Sequence, residues 1–278
     1  MKAIVNDMIV NLHKQPDITS ELIDEVLYGM FVEILEDCND SWVHVETVYR
    51  YKGYCLKEKL LIDDSKSKRW QEEAKHVITQ NFADILDRPK IQSRKIATLV
   101  KGSSISLVED PDLDQEWSKV KLANGEIGFT RSYWIRNLIE ENISEEDFRE
   151  NVVQTAISYL KTPYRWGGKS PLGIDCSGLC SMAYMLNGVY IYRDAQIVEG
   201  FPIKEISFDQ IQKGDLLYFP GHIAMYMGDG LYIHSSLGGN EVSINSLDEK
   251  HSNYRKDLAK SITAVGSLFV SNSNRRNA

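Results

Sequence analysis

The sequence has no hydrophobic run long enough to cross a membrane. Lys2 precedes the short apolar run Ala3–Val5, but Asn6 and Asp7 end that run long before it could serve as the apolar region of a secretory signal. No later stretch approaches the roughly 20 apolar residues that a bilayer requires. The sequence therefore predicts a cytoplasmic protein, unless the chain is the processed form of a longer one.

Cysteine is also rare, and basic residues are outnumbered by acidic ones. A chain of 278 residues with four scattered cysteines does not need disulfides for stability, so we expect free thiols at Cys38, Cys55, Cys176 and Cys180. The formal net charge is −8, from 40 acidic residues against 32 Lys and Arg. Because nucleic-acid binding depends on neutralising phosphates, this balance disfavours a nucleic-acid partner. We expect no membrane partner either.

The first half of the chain contains a duplicated pattern. Each copy has a β-rich run, Val32–Leu35 or Ile105–Val108, then an acidic turn and a Trp-x-x-Val strand. Short strands separated by turns at this spacing predict two small antiparallel barrels. The matched residues, 75 positions apart, are Trp42 with Trp117, Val45 with Val120, and Gly53-Tyr54 with Gly128-Phe129.

A polar segment separates the two copies. Trp70, Ala74, Val77 and Ile78 recur in it at near-helical spacing, which predicts a connecting helix. The predicted organisation is a first barrel at residues 1–62, a connecting helix at 63–80, a second barrel at 81–142 and a further domain at 143–278.

The last domain has a different pattern. Ser144 with Asp147 fits a helix capping box, and apolar residues follow at helical spacing until Pro163. A second apolar stripe runs through Leu179 and Leu186. Strands then follow at Leu216–Phe219, Ile223–Met227 and Leu231–Ser235. Helices followed by a meander indicate an α+β domain.

Cys176 is the candidate nucleophile. It lies in Asp175-Cys176-Ser177-Gly178, directly before the second apolar stripe, so its thiol is predicted at a helix N-terminus. Backbone N–H groups and the helix dipole there stabilise a thiolate, so we expect a lowered thiol pKa. Cys180, one helical turn further on, is expected to be a small core residue.

Two histidines follow on the predicted strands. A thiol nucleophile needs a base within hydrogen-bonding reach. His222 opens the strand Ile223–Met227 and His234 lies on the next strand, whereas His251 falls in a polar segment rich in Lys and Arg. His222 and His234 are therefore the candidate partners of the thiol.

The turn between these two strands decides whether the imidazoles share a face. If Asp229-Gly230 alone formed the loop, His234 would lie opposite Met225 and the two imidazoles would face opposite sides. If Gly228 joins the loop, His234 lies opposite Ala224 and the imidazoles share a face. We predict this three-residue loop, with His222 as the base and His234 as the residue that orients it.

A zinc site built from Cys176, His222 and His234 is the alternative chemistry. The closely spaced ligand pairs that are typical of zinc motifs are missing from the sequence. We therefore expect neither a metal nor another cofactor.

Taken together, these motifs resemble the NlpC family of cell-wall cysteine peptidases over roughly residues 145–270. The matching segments are Asp175-Cys176-Ser177-Gly178, Gly214-Asp215-Leu216, His222 to Gly228, and Ile233-His234. The resemblance implies a circularly permuted papain-like fold with Cys176 as nucleophile, His222 as base and His234 as third polar residue. The duplicated pattern resembles the bacterial SH3-like barrel. Two such barrels before the peptidase resemble the γ-D-glutamyl-L-diamino-acid dipeptidyl-peptidases that recycle murein peptides, including a sporulation type without an export signal.

The resemblance also implies a set of substrate contacts. Tyr164 is expected beside the oxyanion, with the backbone N–H of Cys176 as the other donor. The first barrel is expected to help hold the free amine of an N-terminal L-Ala, using Tyr51 and a glutamate that is either Glu21 or Glu25. The full set of predicted contacts is Tyr51, Tyr164, Trp166, Asp175, Ser177, Arg193 and Asp194.

The leading hypothesis is a cysteine peptidase for murein peptides with a free N-terminal L-Ala. It would hydrolyse the bond between D-Glu and L-Lys or diaminopimelate, in cell-wall peptide recycling or sporulation. The alternatives are a non-catalytic module that binds wall peptides and a lysin that acts on intact peptidoglycan. The complete set Cys176, His222 and His234 argues against a module that only binds, because binding has no use for an activated thiol. The sequence leaves the diamino acid open.

Overall fold

The computed structural model describes residues 1–138 and 143–270. These residues form two units, which we call the barrel unit, residues 1–138 and 166–173, and the C-terminal unit, residues 143–165 and 174–270. Within the described ranges, no helix is both long enough and apolar enough to span a membrane.

The first copy of the duplicated pattern forms a seven-stranded sheet. Its strands are β1 (Lys2–Val5), β2 (Ile9–His13), β3 (Leu22–Leu27), β4 (Phe31–Asp37), β5 (Trp42–Thr47), β6 (Lys52–Leu56) and β7 (Leu60–Ile62). They are ordered β3-β2-β6-β5-β4-β1-β7. In β5, the buried Val43 and Val45 alternate with the half-buried His44 and Glu46, as a strand with one face in the core requires.

A helix, α1 (Asp64–Glu73), connects the two copies. It begins at Asp63, whose Oδ1 accepts hydrogen bonds from the backbone N–H groups of Ser65 and Lys66. The helix is shorter than predicted: Val77 and Ile78 lie in a strand, β8 (His76–Ile78). Their burial comes from pairing within a sheet, and the spacing of so few apolar residues does not distinguish the two structures.

The second sheet repeats the first. Its remaining strands are β9 (Phe82–Leu86), β10 (Lys95–Val100), β11 (Ser104–Val108), β12 (Trp117–Lys121), β13 (Ile127–Arg131) and β14 (Ile135–Asn137). The order β10-β9-β13-β12-β11-β8-β14 matches the first sheet position for position. The predicted duplication is therefore confirmed.

The two barrels share a core. Ile4 and Tyr28 of the first copy and Ile85 and Leu99 of the second belong to one cluster of buried side chains. Trp70 of α1 donates from Nε1 to the carbonyl of Gly29 at 2.9 Å. A barrel of about 60 residues buries so little apolar surface that it is only marginally stable by itself. The shared core increases the surface that each barrel buries. The predicted boundaries at 62 and 80 stay predictions, and the boundary at 142 and the end of the last domain, 271–278, lie outside the described residues.

In chain order the remaining elements are helices followed by a meander, as the α+β prediction requires. They are α2 (Glu145–Ile157), β15 (Lys169–Ser170), β16 (Gly173–Ile174), α3 (Cys176–Met185), β17 (Lys204–Ile206), β18 (Leu216–Phe219), β19 (His222–Gly228), β20 (Leu231–Ser236), β21 (Glu241–Ser246), α4 (Lys256–Ala259) and β22 (Ala264–Ser267). The strands β17 to β22 form an antiparallel sheet ordered β17-β22-β18-β19-β20-β21. Helix α3 packs on β19 and β20, the two strands that carry His222 and His234.

Candidate active site

Cys176 is the first residue of α3. Asp175 caps the helix, since its Oδ1 accepts a 2.6 Å hydrogen bond from the backbone N–H of Gly178. Every residue of α3 is buried, and Cys176 is 8% exposed. The backbone N–H of Cys176 has no carbonyl partner within the helix, because the first N–H groups of any helix lack one. It is therefore available to a substrate oxygen.

The thiol of Cys176 interacts with the backbone N–H of Ile223, the residue that follows His222, and with that of Ser177. Burial, and next the negative charge of Asp175, raise the pKa of Cys176 to about 11, against the lowering by these amides and Arg193. The expected lowering of the pKa was wrong, because loss of hydration outweighs the helix terminus here. The resting group is a thiol, which needs a base when it attacks.

The hairpin between β19 and β20 differs from the prediction in its turn but not in its outcome. Gly228 pairs with Leu231, so the loop is only Asp229-Gly230, and both loop residues have the positive φ that a tight hairpin turn requires. Met227 is then skipped in a bulge, and Tyr226 pairs with Tyr232. The bulge shifts the register by one residue and returns His222 and His234 to the same face.

The two imidazoles are hydrogen-bonded to each other. His222 Nε2 lies 2.8 Å from His234 Nδ1, and His234 is fully buried. Burial lowers the pKa of His222 to about 3, with further lowering by His234, and burial lowers the pKa of His234 to about 4. Both rings are therefore neutral near pH 7, which is the form that a base must have.

Asn245, which was not among the predicted site residues, extends this chain of hydrogen bonds. Its Oδ1 lies 2.9 Å from His234 Nε2. Ser243 lies opposite His234 in the pairing of β20 with β21, so Asn245, two residues on, points to the same face. The alternation of apolar Val242 and Ile244 with polar Ser243 and Asn245 was the available signal.

Arg193 forms a buried network with Asp175 and Ser177. Its two Nη atoms each donate at 3.0 Å to one oxygen of the Asp175 carboxylate, and Nη1 also donates to Ser177 Oγ at 2.8 Å. Arg193 is 1% exposed. Such a bidentate pair is geometrically specific and holds the residues on both sides of Cys176 in place.

Comparison with known proteins agrees with this site. Residues 161–260 match the model of the NlpC/P60 family, and residues 10–60 match that of the bacterial SH3 domain. The chain is 61% identical over 271 residues to dipeptidyl-peptidase 6 from Lysinibacillus sphaericus, covering 97% of this chain and 100% of that protein. The chain belongs to the NlpC/P60 family. It is a cysteine peptidase that acts on murein peptides.

One further relative and one solved structure come from Bacillus cereus. A γ-D-glutamyl-L-lysine dipeptidyl-peptidase is 28% identical over 200 residues, which cover 64% of this chain and 59% of that protein. The crystal structure of an NlpC/P60 family protein superimposes with a TM-score of 0.76 at 20% identity, covering 95% of this chain and 98% of that one. The latter likeness supports the fold: an NlpC/P60 domain preceded by SH3-like barrels.

Asp175, Ser177 and Arg193, three of the predicted substrate contacts, surround the nucleophile Cys176. Tyr164 lies near Cys176 and Asp175. Its pKa is raised to about 12, first by burial and then by the nearby Cys176 and Asp175. The hydroxyl of Tyr164 is therefore protonated near neutral pH and can donate. Asp194 differs, because its side chain interacts with the hydroxyl of Tyr192. The structure thus brings Tyr164, Asp175, Ser177 and Arg193 together around Cys176.

The other predicted contacts lie in the barrel unit. Trp166 is 60% exposed, and its Nε1 donates to Glu21 Oε1 at 3.2 Å. Tyr51 immediately precedes β6 and donates from its backbone N–H to Thr47 Oγ1. Glu21 also pairs with Lys14, whereas Glu25 is fully buried and accepts from the backbone N–H of Lys169 at 2.9 Å. These substrate contacts stay predictions.

In the described part of the chain, no three His, Cys, Asp or Glu side chains are grouped so as to hold a metal ion.

Proposed function

We propose that this NlpC/P60 peptidase hydrolyses the bond between D-Glu and a diamino acid, L-Lys or diaminopimelate, in murein peptides with a free N-terminal L-Ala. Cys176 is the proposed nucleophile, His222 the base and His234 the residue that orients it. The observation that carries the proposal is the 2.8 Å hydrogen bond between the two imidazoles, together with the buried thiol at the start of α3 that contacts the backbone N–H of Ile223, the residue after His222. The name of the Bacillus cereus relative, a γ-D-glutamyl-L-lysine dipeptidyl-peptidase, supports this bond as the target.

The reaction follows from the protonation states. As Cys176 Sγ attacks the γ-carbonyl carbon of D-Glu, His222 takes the thiol proton, and the negative charge moves to the carbonyl oxygen. The backbone N–H of Cys176 and the hydroxyl of Tyr164 are the proposed donors to that oxygen. His222 then gives its proton to the amine of the diamino acid, which leaves. Water hydrolyses the remaining thioester with His222 again as base.

Recognition of the free amine is the less direct part of the proposal. Asp175 is the proposed partner of the ammonium in the C-terminal unit, but its charge is already offset by Arg193. A buried ammonium needs both a charge partner and hydrogen-bond acceptors, since its desolvation is otherwise too costly. The glutamate of the first barrel that the resemblance implies, Glu21 or Glu25, stays a prediction.

The proposal is tested with L-Ala-γ-D-Glu-L-Lys, its diaminopimelate counterpart and its N-acetyl form, each digested side by side and analysed by mass spectrometry. We expect release of L-Lys or diaminopimelate with the dipeptide L-Ala-γ-D-Glu, and a far larger loss of rate from acetylation than from exchanging the diamino acid. Cleavage elsewhere in the peptide would refute the assigned bond. Equal rates for the free and acetylated peptides would refute recognition of the amine.

Intact peptidoglycan separates the remaining alternatives. We expect poor release of fragments from purified peptidoglycan, with Cys176→Ala protein as the blank. Efficient release would indicate a lysin. Binding of the tripeptide by wild-type protein without any hydrolysis would indicate a module that only binds.

We also propose that the protein acts in the cytoplasm. All four cysteines are free thiols, which is typical of a reducing compartment. Fractionation of the source cells, with immunodetection of the protein in cytoplasm and culture medium, tests this, and recovery chiefly from the medium would refute it.

A further inference from the structure

We propose that Asn245 is a positioning residue that sets the polarity of the histidine pair, so that the lone pair of His222 is held on Nδ1. The inference rests on the proposed role of His222 as base, and it goes beyond that role by naming what determines which imidazole nitrogen is basic. It is carried by a chain of hydrogen bonds within the C-terminal unit.

The chain begins at a backbone carbonyl, whose oxygen only accepts. Asn245 Nδ2 donates to the carbonyl of Asn253 at 2.7 Å. This contact orients the amide so that Oδ1 faces His234. The Asn253 carbonyl also accepts from the backbone N–H of Ser246, and the Asn253 side chain donates to the carbonyl of Ile244. The Asn253 carbonyl that orients Asn245 is therefore itself held in place by hydrogen bonds to its neighbours.

The orientation of Asn245 then determines which nitrogens of His234 and His222 are donors and which are acceptors. Asn245 Oδ1 only accepts, so the nitrogen that faces it, His234 Nε2, carries a proton. A neutral imidazole has one protonated nitrogen, so His234 Nδ1 is an acceptor, and His222 Nε2 must donate to it. His222 Nδ1 is left with its lone pair. Among the described residues, Nδ1 makes no hydrogen bond, which suits a nitrogen that receives the thiol proton.

The reverse arrangement, in which His234 Nδ1 donates to His222 Nε2, conflicts with the structure. It would place the lone pair of His234 Nε2 against the lone pair of Asn245 Oδ1, and it would put a proton on His222 Nδ1. A base that already carries a proton on the required nitrogen is inactive, as the wrong tautomer of a catalytic histidine is in other peptidases. Asn245 therefore contributes to catalysis without touching the reacting atoms.

Other groups act on His234 besides Asn245. Arg255 lowers its pKa and Asp257 raises it, and these two form an ion pair with each other at 2.6 Å. Tyr232 packs its ring edge-on against His234 at 5.1 Å. None of these groups makes a hydrogen bond to either nitrogen of His234, so none can select the tautomer directly.

The first experiment reads the tautomers without reference to activity. Two-bond proton–nitrogen NMR spectra of protein with labelled histidine side chains, assigned with His222→Gln and His234→Gln variants, distinguish the two neutral forms. We expect both rings in the form protonated on Nε2. A His222 or His234 ring protonated on Nδ1 in the wild-type protein would overturn the proposal, whether or not His222 is the base.

The second experiment uses three variants, with L-Ala-γ-D-Glu-L-Lys as substrate. Asn245→Leu removes the acceptor, so we expect kcat to fall at least about tenfold with KM nearly unchanged, and a mixture of His234 tautomers. Asn245→Asp keeps an acceptor and adds a negative charge. We expect it to preserve the tautomers, to retain more activity than the leucine variant and to move the acid limb of the rate profile upward by about one pH unit.

Asn187→Leu is the matched control. Asn187 is also partly buried in the C-terminal unit and donates to the carbonyl of Ala183 and to Thr155 Oγ1, away from the histidines. We expect it to lower Tm without changing the pH profile. If Asn245→Leu behaves in the same way, Asn245 is merely structural and the proposal fails. If His222→Gln retains full activity while the tautomers are as expected, the proposed role of His222 fails instead.

Discussion

Lys169 Nζ lies 3.0 Å from Asp24 Oδ2, and both side chains are completely buried. Lys169 also donates to Tyr49 Oη at 2.7 Å. Nearby, Gly167 has a φ of +70° and lies so close to Leu22 that an added Cβ would be 2.8 Å from the Leu22 carbonyl oxygen. Residues 166–173 are thereby held on the first barrel, although they belong to the segment that leads into Cys176.

Replacing Lys169 by Met should therefore destabilise the protein strongly. It leaves the Asp24 carboxylate buried without its charge partner, which typically costs about 3–5 kcal/mol. Urea unfolding of Lys169→Met gives the loss directly. The control is Lys119→Met, which breaks a partly exposed pair with Asp110 in the same unit and should cost no more than about 1 kcal/mol. Similar losses from the two variants would contradict the importance of the buried pair.

Cys176→Ala should abolish hydrolysis, whereas Cys180→Ala should leave it largely intact. Both thiols are on α3, but Cys180 is fully buried, and burial raises its pKa well above the ordinary value. Only Cys176 is at the helix start, beside the strand of His222. Initial rates on the tripeptide, with Tm measured for each variant, test this. Equal losses of rate at unchanged Tm would contradict the assignment of the nucleophile.

Alkylation of Cys176 should depend on pH as expected for a thiol and not for a preformed thiolate. Iodoacetamide reacts with the thiolate, which is present above the thiol pKa. Since burial raises the pKa of Cys176 to about 11, the reaction rate should rise about tenfold per pH unit between pH 7 and 10. The measurement uses a Cys38→Ser background, because Cys38 is partly exposed. A plateau at or below pH 7 would indicate a preformed ion pair with a histidine.

The buried histidines should make the protein less stable in acid. Burial lowers the pKa of His234 to about 4, so below about pH 6.5 the unfolded chain takes up a proton that the folded protein resists. The contribution of neutral His234 to the free energy of unfolding is therefore fully present above pH 6.5 and is lost as the pH falls towards 4. His234→Gln should reduce the slope of the free energy of unfolding in this range, by at most about 1.4 kcal/mol per pH unit. Parallel slopes for wild type and variant would contradict the shifted pKa.

Local sequence patterns determined much of the architecture. The recurrence of Trp42 as Trp117 predicted a duplicated β unit, and the two sheets do share one strand order. The strand Leu216–Phe219 was predicted at its observed bounds. Cys176 was placed correctly at a helix start. These features depend on periodicity, turns and caps, which involve residues close together in the chain.

Tertiary structure decided what depends on distant neighbours. The Met227 bulge produced the shared face of His222 and His234 through a turn of different length from the one predicted. The pKa of Cys176 rose because packing removed water from the thiol, a loss that no local pattern reveals. Asn245 became part of the site only when β21 paired with β20, and the partner of Lys169 lies 145 positions earlier in the chain. Burial and long-range pairing are properties of the folded chain. They set the chemistry of residues that the sequence could only identify as candidates.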